Sequence, residues 1–218
     1  PMAGVGKASG RTGGLALEEL QRWSLHPARL FEVLFGAPYP EAYLQEEDLA
    51  ERLLGGHFHA LWAVSVFLGG VVVLTALLAL AESSLGRTRW LYGALGLLGL
   101  AFALGKYVGL FGLCARFVPM FGSFRYPEKF FVWTTLATAL LAGLGLEPAW
   151  KSGRLTRASA ALALAALLGA LAFRPGWMAA IARALDIEGT GLDAPVLERM
   201  TQTLQVRLLV SCALLALL

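Results

Sequence analysis

Apolar positions along this chain neither alternate nor mark a single helical stripe; they come in long runs separated by short polar turns. The run His59–Ala81, HALWAVSVFLGGVVVLTALLALA, has no charge over 23 residues. At the α-helical rise it covers a hydrocarbon core of about 30 Å. A second run opens at Trp90 and reaches Leu113 only by taking Lys106 into the span or letting that side chain snorkel to the interface. The predicted spans are 59–81, 90–113, 130–146 and 155–173, with a truncated fifth over 204–218. ESSLGRTR (82–89) is the turn within the first pair of spans and EPAWKSGRLTR (147–157) the turn within the second, and 174–203 is a longer loop with an amphipathic piece at 177–185. Residues 1–57 are more polar and predict an extracytoplasmic segment with short amphipathic helices, such as the one carrying Leu17, Leu20, Trp23 and Leu25 ahead of Pro27. The fold expected is an all-α membrane protein of polytopic transmembrane helices with an interfacial or re-entrant outer loop.

Composition agrees with this pattern. The chain has 218 residues, 57% of them hydrophobic and 15% charged, less charge than the roughly 25% of soluble domains. The net charge of +3 does not indicate nucleic acid, because the basic residues are scattered singly around apolar runs. Cys114 and Cys212 lie in apolar sequence without CxxC or paired-His spacing, so neither a disulfide framework nor a metal site is expected. His57 and His59 stand two apart, which puts them on different faces of a helix. No cofactor is implied. The chain starts at Pro1 and stops within an apolar run too short to cross a bilayer, so it reads as an internal segment of a longer polytopic protein.

Orientation follows from basic residues in short loops. Arg87, Arg89, Lys151, Arg154 and Arg157 in the turns at 82–89 and 147–157 place those turns inside. Loops 105–129 and 174–203 then face out, although they too carry cations. The first of these contains the stretch that greasy packing alone does not account for, FGSFRYPEKFF (121–131). From Gly105 to Phe131 four cations stand with one anion, two tyrosines and many phenylalanines, interrupted by Gly and Pro. Such a segment is too apolar for a solvated loop and too broken to span. Arg125 offers a planar fork of donors suited to phosphate or carboxylate, and Lys129 adds a second charge one turn on if Pro127 opens a helix. A helix starting there also aims free N–H groups at an anion. The other reading is interfacial anchoring, with Arg125 and Lys129 reaching lipid headgroups, Glu128 paired to one of them and Tyr126 in an aromatic belt.

The stretch ALGKYVGLFGLCARFVPMFGSFRYPEKFF, together with the upstream RWSLHPARLFEVLFGAPYP, resembles two segments of the bacterial YfhO-type membrane proteins, a GT-C-like glycosyltransferase group. Gly105, Lys106 and Tyr107 fall on the first motif, and Phe124, Arg125, Pro127, Lys129 and Phe130 on the second. Val108 and Gly109 depart from the family's usual Thr-Pro. The resemblance implies a multi-pass enzyme of the bacterial plasma (inner) membrane. Such an enzyme transfers sugar from a polyprenyl-phosphate-linked donor to a cell-envelope polymer or lipid acceptor on the outer face. Membrane lipids are its surroundings and nucleic acid is not a partner. Lys106, Tyr107, Arg125, Tyr126 and Lys129 are the implied substrate-binding residues, with Arg125 and Lys129 on the lipid phosphate. No position matches the family's catalytic carboxylate motif, so Asp48, Asp186 and Asp193 are not assigned that role. Trp23 and His26 are candidates for sugar or acceptor contact, or a staple before Pro27. A transporter or flippase of lipid-linked sugars, or a non-catalytic membrane scaffold, is the alternative.

Overall fold

A computed structural model describes residues 16–21, 23–36, 65–119, 121, 124–172 and 194–216, and among them every regular element is helical. In chain order these are α1 (Leu17–Gln21), α2 (Leu30–Phe35), α3 (Gly70–Ala81), α4 (Thr88–Ala103), α5 (Leu110–Phe117), α6 (Phe131–Lys151), α7 (Arg154–Ala172) and α8 (Ala194–Ala216). Short 3-10 turns lead into α2 (Pro27–Arg29) and α6 (Pro127–Phe130), and two more occupy Ser83–Leu85 and Gly105–Tyr107. The segments GAPYP beyond Gly36, GGHFH, 177–185, Asp48, Asp186 and Asp193 lie outside the described residues.

Among the described residues two helices are long and apolar enough to cross a bilayer: Pro127–Lys151 with its leading turn, mean hydropathy 1.5, and Arg154–Ala172, mean hydropathy 1.7. They correspond to the predicted spans 130–146 and 155–173. The connection between them is shorter than expected, because α6 continues through Pro148 to Lys151 and turns only at Ser152 and Gly153.

The span predicted over 59–81 is corrected in its described part, 65–81; residues 59–64 lie outside the described residues. Residues 65–69 are not helical, and α3 begins only at Gly70, leaving 12 residues or about 18 Å. The cause is local. The N–H groups of Leu68 and Gly69 both donate to the Val33 carbonyl at 3.0 Å, and Gly69 takes φ 93°, so this backbone pairs with α2. The span predicted over 90–113 is also broken: α4 stops at Ala103, and a turn at 105–107 precedes the separate helix α5. Lys106 therefore sits beyond the end of α4 and is exposed. The fifth helix begins at Ala194 rather than 204, so the end of the expected 174–203 loop is helical.

Small residues set the seams. Gly96 lies against Ala137, and Gly99 against Trp133 and Thr134, where a Cβ would stand 2.9 Å from the Trp133 Cβ. Gly96 and Gly99, three residues apart on one face of α4, thus bring the backbones close, and Thr134 Oγ1 donates across the seam to the Gly96 carbonyl at 3.0 Å. The contacts 96 to 137 and 99 to 133 make α4 and α6 antiparallel. Since α3 and α4 form a hairpin, α3 runs parallel to α6 and packs Ala76 and Ala79 near Leu141. Helix α8 lies along α7 through Ala166, Ala170, Leu204 and Leu208, joined by Phe31 and Phe35 of α2.

This topology gives the bundle two chemically distinct ends. At one, the turns carrying Arg87, Arg89, Lys151, Arg154 and Arg157 come together, and Arg154 pairs with Glu82 at 3.2 Å. At the other end, the C-terminus of α4 meets the N-terminus of α6 and the segment 23–29.

Candidate functional site

The second end is assembled around Trp23–His26. Helix α1 ends at Gln21, whose carbonyl accepts from the Ser24 hydroxyl at 2.7 Å. The chain then runs between two helix termini and uses the backbone groups they leave unbonded. The Leu25 N–H donates to the Ala103 carbonyl at the end of α4 (2.8 Å), and the Glu128 N–H, at the entry to α6, donates to the Trp23 carbonyl (3.0 Å). Ser24 Oγ accepts from the Lys106 N–H at 3.0 Å. Leu25 anchors the arrangement from below, 1% exposed among Val66, Ala103 and Phe131.

A buried ion cluster locks the joint. Arg29, Glu32 and Glu128 are 1%, 2% and 3% exposed. Arg29 Nε donates to Glu32 Oε2 at 3.1 Å, and its Nη1 donates to Glu128 Oε1. Glu128, which the anchoring reading pairs with Arg125 or Lys129, is bonded to Arg29. A carboxylate at the foot of an apolar helix is drawn to the cation that the α2 entry carries into the same interior, since burying it unpaired is costly. Arg29 and Glu32 were missed in the sequence. The signal available was a Glu inside FRYPEKFF needing a buried cation, and an Arg and Glu three apart at the start of α2.

Above the cluster, the sequence-predicted residues fall on both sides of Trp23–His26. The Lys106 ammonium lies 5.1 Å from the ring centroid of Tyr107, and the Lys129 ammonium 4.5 Å from that of Tyr126, each a cation-π pair. Tyr107 meets the edge of His26 at 5.2 Å, and Tyr126 packs on Trp23 at 4.5 Å. Trp23 and His26 thus serve as staples for the two tyrosines. Tyr126 is the one described non-glycine residue with positive φ, 65°, immediately before Pro127. Such backbone strain persists where surrounding contacts over-determine it, as at binding sites, and here it turns the ring onto Trp23. Pro127 opens the helix as predicted, at its first position. Arg125 is half-buried, and its Nε is buried without a hydrogen-bond partner. The region expected to be irregular instead contains α5, which seats Phe111 fully inside and exposes Phe117. Phe111, Phe121 and Phe130 make an aromatic layer beside the ledge.

The electrostatics of the ledge are cationic. Burial first, then the nearby charges of Lys106 and Arg29, push the proton affinity of His26 below its ordinary value. The folded imidazole therefore stays neutral where the unfolded one already takes a proton, and stability falls as pH drops below about 6.5. Melting temperature between pH 7.5 and pH 5, taken as about the working range of His, should fall more for wild type than for His26→Gln. Parallel curves for the two proteins would mean that His26 carries no such depression.

Among the described residues no three His, Cys, Asp or Glu side chains gather as a metal set. No family model, curated protein or solved structure matches this chain.

Proposed function

We propose that this chain is part of a polytopic protein of the bacterial plasma membrane, of the YfhO-like glycosyltransferase type. Its ledge binds the phosphate of a polyprenyl-linked sugar donor on the outer face, for transfer to a cell-envelope polymer or lipid, with the catalytic carboxylate contributed from outside this chain. One observation carries the reading: Trp23–His26, Lys106–Tyr107 and Arg125–Lys129, the stretches on which the resemblance rests, meet at one end of the bundle. The meeting produces two ammonium groups held over tyrosines, with a guanidinium whose Nε makes no other bond. Phosphate is the anion such groups recognise, and fixed cations stabilise the charge growing on a phosphate leaving group.

A membrane setting is supported by where the apolar surface lies. Only 22% and 28% of the apolar windows of α6 and α7 are buried, whereas a core helix of a water-soluble protein hides most of its surface. Leu136, Leu140, Leu144, Leu164, Leu168 and Leu171 all point outward. The basic turns at the opposite end then lie on the cytoplasmic side and the ledge on the outer side.

The test is binding of a short-chain polyprenyl-phosphate sugar to the intact parent protein in detergent. Arg125→Ala and Lys129→Ala should each weaken binding tenfold or more, about 1.4 kcal/mol, with melting temperature retained. Unchanged binding by both folded variants would return the two side chains to headgroup anchoring.

A further inference from the structure

The end of the bundle opposite the ledge carries five cations, Arg87, Arg89, Lys151, Arg154 and Arg157, against two carboxylates, Glu82 and Glu147, a net charge of +3. Both carboxylates are engaged. Glu147 accepts from the Lys151 ammonium, and Glu82 accepts from the Ser84 N–H and hydroxyl and pairs with Arg154. Arg157 donates to the Gly153 and Ser152 carbonyls at the close of α6. Arg87 and Arg89 have no ion-pair partner among the described residues, and Arg89 Nε is buried without a hydrogen bond.

Height separates these groups. Gly96 lies against Ala137 in the antiparallel α4–α6 pair, so Arg89, seven residues before Gly96, stands level with Leu144, seven residues short of Lys151 at the end of α6. Seven residues are about 10 Å of helix, comparable with the headgroup layer of one leaflet, about 5–8 Å. The cations thus span that layer, with Arg89 at its hydrocarbon edge. The Arg89 guanidinium lies 5.2 Å from the Trp90 ring centroid, and Trp90 and Trp150 are both exposed, as indoles at a headgroup boundary are. Beyond Trp90 the outward face of α4 is apolar, through Leu91, Leu97 and Leu98.

We infer that this end of the bundle binds phospholipids of net negative headgroup, with Arg89 and Arg87 on the phosphate and the acyl chains along the exposed face of α4. The inference rests on the membrane setting proposed above and is independent of what the ledge binds. Surplus charge selects the headgroup. A choline headgroup brings its own cation to a place already rich in them, whereas an anionic one offsets the excess, and anionic lipids populate the cytoplasmic leaflet. Depth selects a lipid over a soluble anion. Free phosphate or an acidic peptide meets Arg87, Lys151 and Arg154 at the bundle end, but Arg89 stands a headgroup layer further in, where a phosphate arrives only with acyl chains attached. Leaving a guanidinium N–H buried and unbonded is costly, and rotation of Arg89 onto a headgroup phosphate satisfies its fork of donors.

The experiment is native mass spectrometry of the intact parent protein, delipidated in neutral detergent and titrated with dioleoyl phosphatidylglycerol or phosphatidylcholine. Wild type should bind phosphatidylglycerol at least tenfold more tightly than phosphatidylcholine. Arg87→Gln and Arg89→Gln should each weaken phosphatidylglycerol about fivefold, the worth of one cation at an anionic bilayer surface, and leave phosphatidylcholine unchanged. Arg89→Lys, which keeps the charge, should lose less. Glycerol 3-phosphate in large excess should not displace the bound lipid. If Arg89→Gln does not fold, the exposed Arg87→Gln decides. Equal affinity for the two lipids, displacement by glycerol 3-phosphate, phosphatidylglycerol affinity unchanged in Arg87→Gln, or a loss found only in Lys129→Gln at the ledge would each overturn the inference. A parent protein that stays monodisperse in water without detergent would instead remove the membrane setting on which it rests.

Discussion

Arg29→Ala is expected to destabilise the protein by about 3–5 kcal/mol, the cost of removing one partner from a buried ion pair. The two carboxylates it faces, Glu32 and Glu128, are nearly as inaccessible as the guanidinium itself. With the guanidinium gone, two negative groups lie close together in an interior where charge is poorly solvated. The damage also spreads along the chain, because Glu128 lies in the opening turn of the helix that carries Lys129 and donates its N–H to the Trp23 carbonyl. Thermal unfolding in detergent, compared with Arg29→Met/Glu32→Leu/Glu128→Leu, measures the effect. The apolar trio should recover much of the loss, since a well-packed hydrophobic replacement removes the desolvation penalties of all three charges. A loss of under about 1 kcal/mol for Arg29→Ala, the scale of an exposed pair, would mean that the cluster is solvated.

Gly105→Ala should cost about 2–4 kcal/mol and weaken anion binding at the ledge together with stability. Gly105 sits at φ 48°, a conformation that costs an L side chain roughly 1–2 kcal/mol. An added Cβ would also come within 2.1 Å of Ser24 Oγ and 3.0 Å of the Pro127 Cβ. Relief requires Ser24 to move, and Ser24 accepts the Lys106 N–H, so the hydrogen bond, worth about 1 kcal/mol, is lost as well. The companion variant Ser24→Gly/Gly105→Ala removes the hydroxyl from the collision. It should regain part of the melting temperature, though not the anion affinity that the proposed function assigns to Lys106. A Gly105→Ala protein that melts like wild type would show that the turn is free to open.

Helix content, the two helices long and apolar enough to span, and a closely packed glycine face on α4 were legible because each depends on local composition. A long apolar run free of charge favours a helix through local preference, and glycines three apart create a flat face on any helix. The two false continuities were not legible. Apolar residues such as Ser65–Gly69 satisfy a hydropathy window equally well as helix or as extended chain, and only the carbonyl of Val33, supplied by a distant element, decided for extended chain. At the end of α4 the sequence already contained Gly105 and Gly109, yet the break took hold because Ser24 and Leu25 bond the backbone there.

The same division runs through the candidate site. Lys106, Tyr107, Arg125, Tyr126 and Lys129 stand out in sequence because charge and aromatic rings are conspicuous between apolar runs, and the helix opening at Pro127 follows from its fixed φ. By itself, then, the sequence determined the helical class, the two helices of spanning length with their apolar surfaces, and the residue types offered at the ledge, all consequences of short-range preference and hydrophobicity. The tertiary structure alone decided that Glu128 faces Arg29 across 99 residues, that Trp23 and His26 hold the two tyrosines, and that Lys106 and Lys129 share one end of the bundle. Pairing at such separation depends on which buried charges and unbonded helix ends are brought together when the whole chain packs, and no local window of sequence contains both partners.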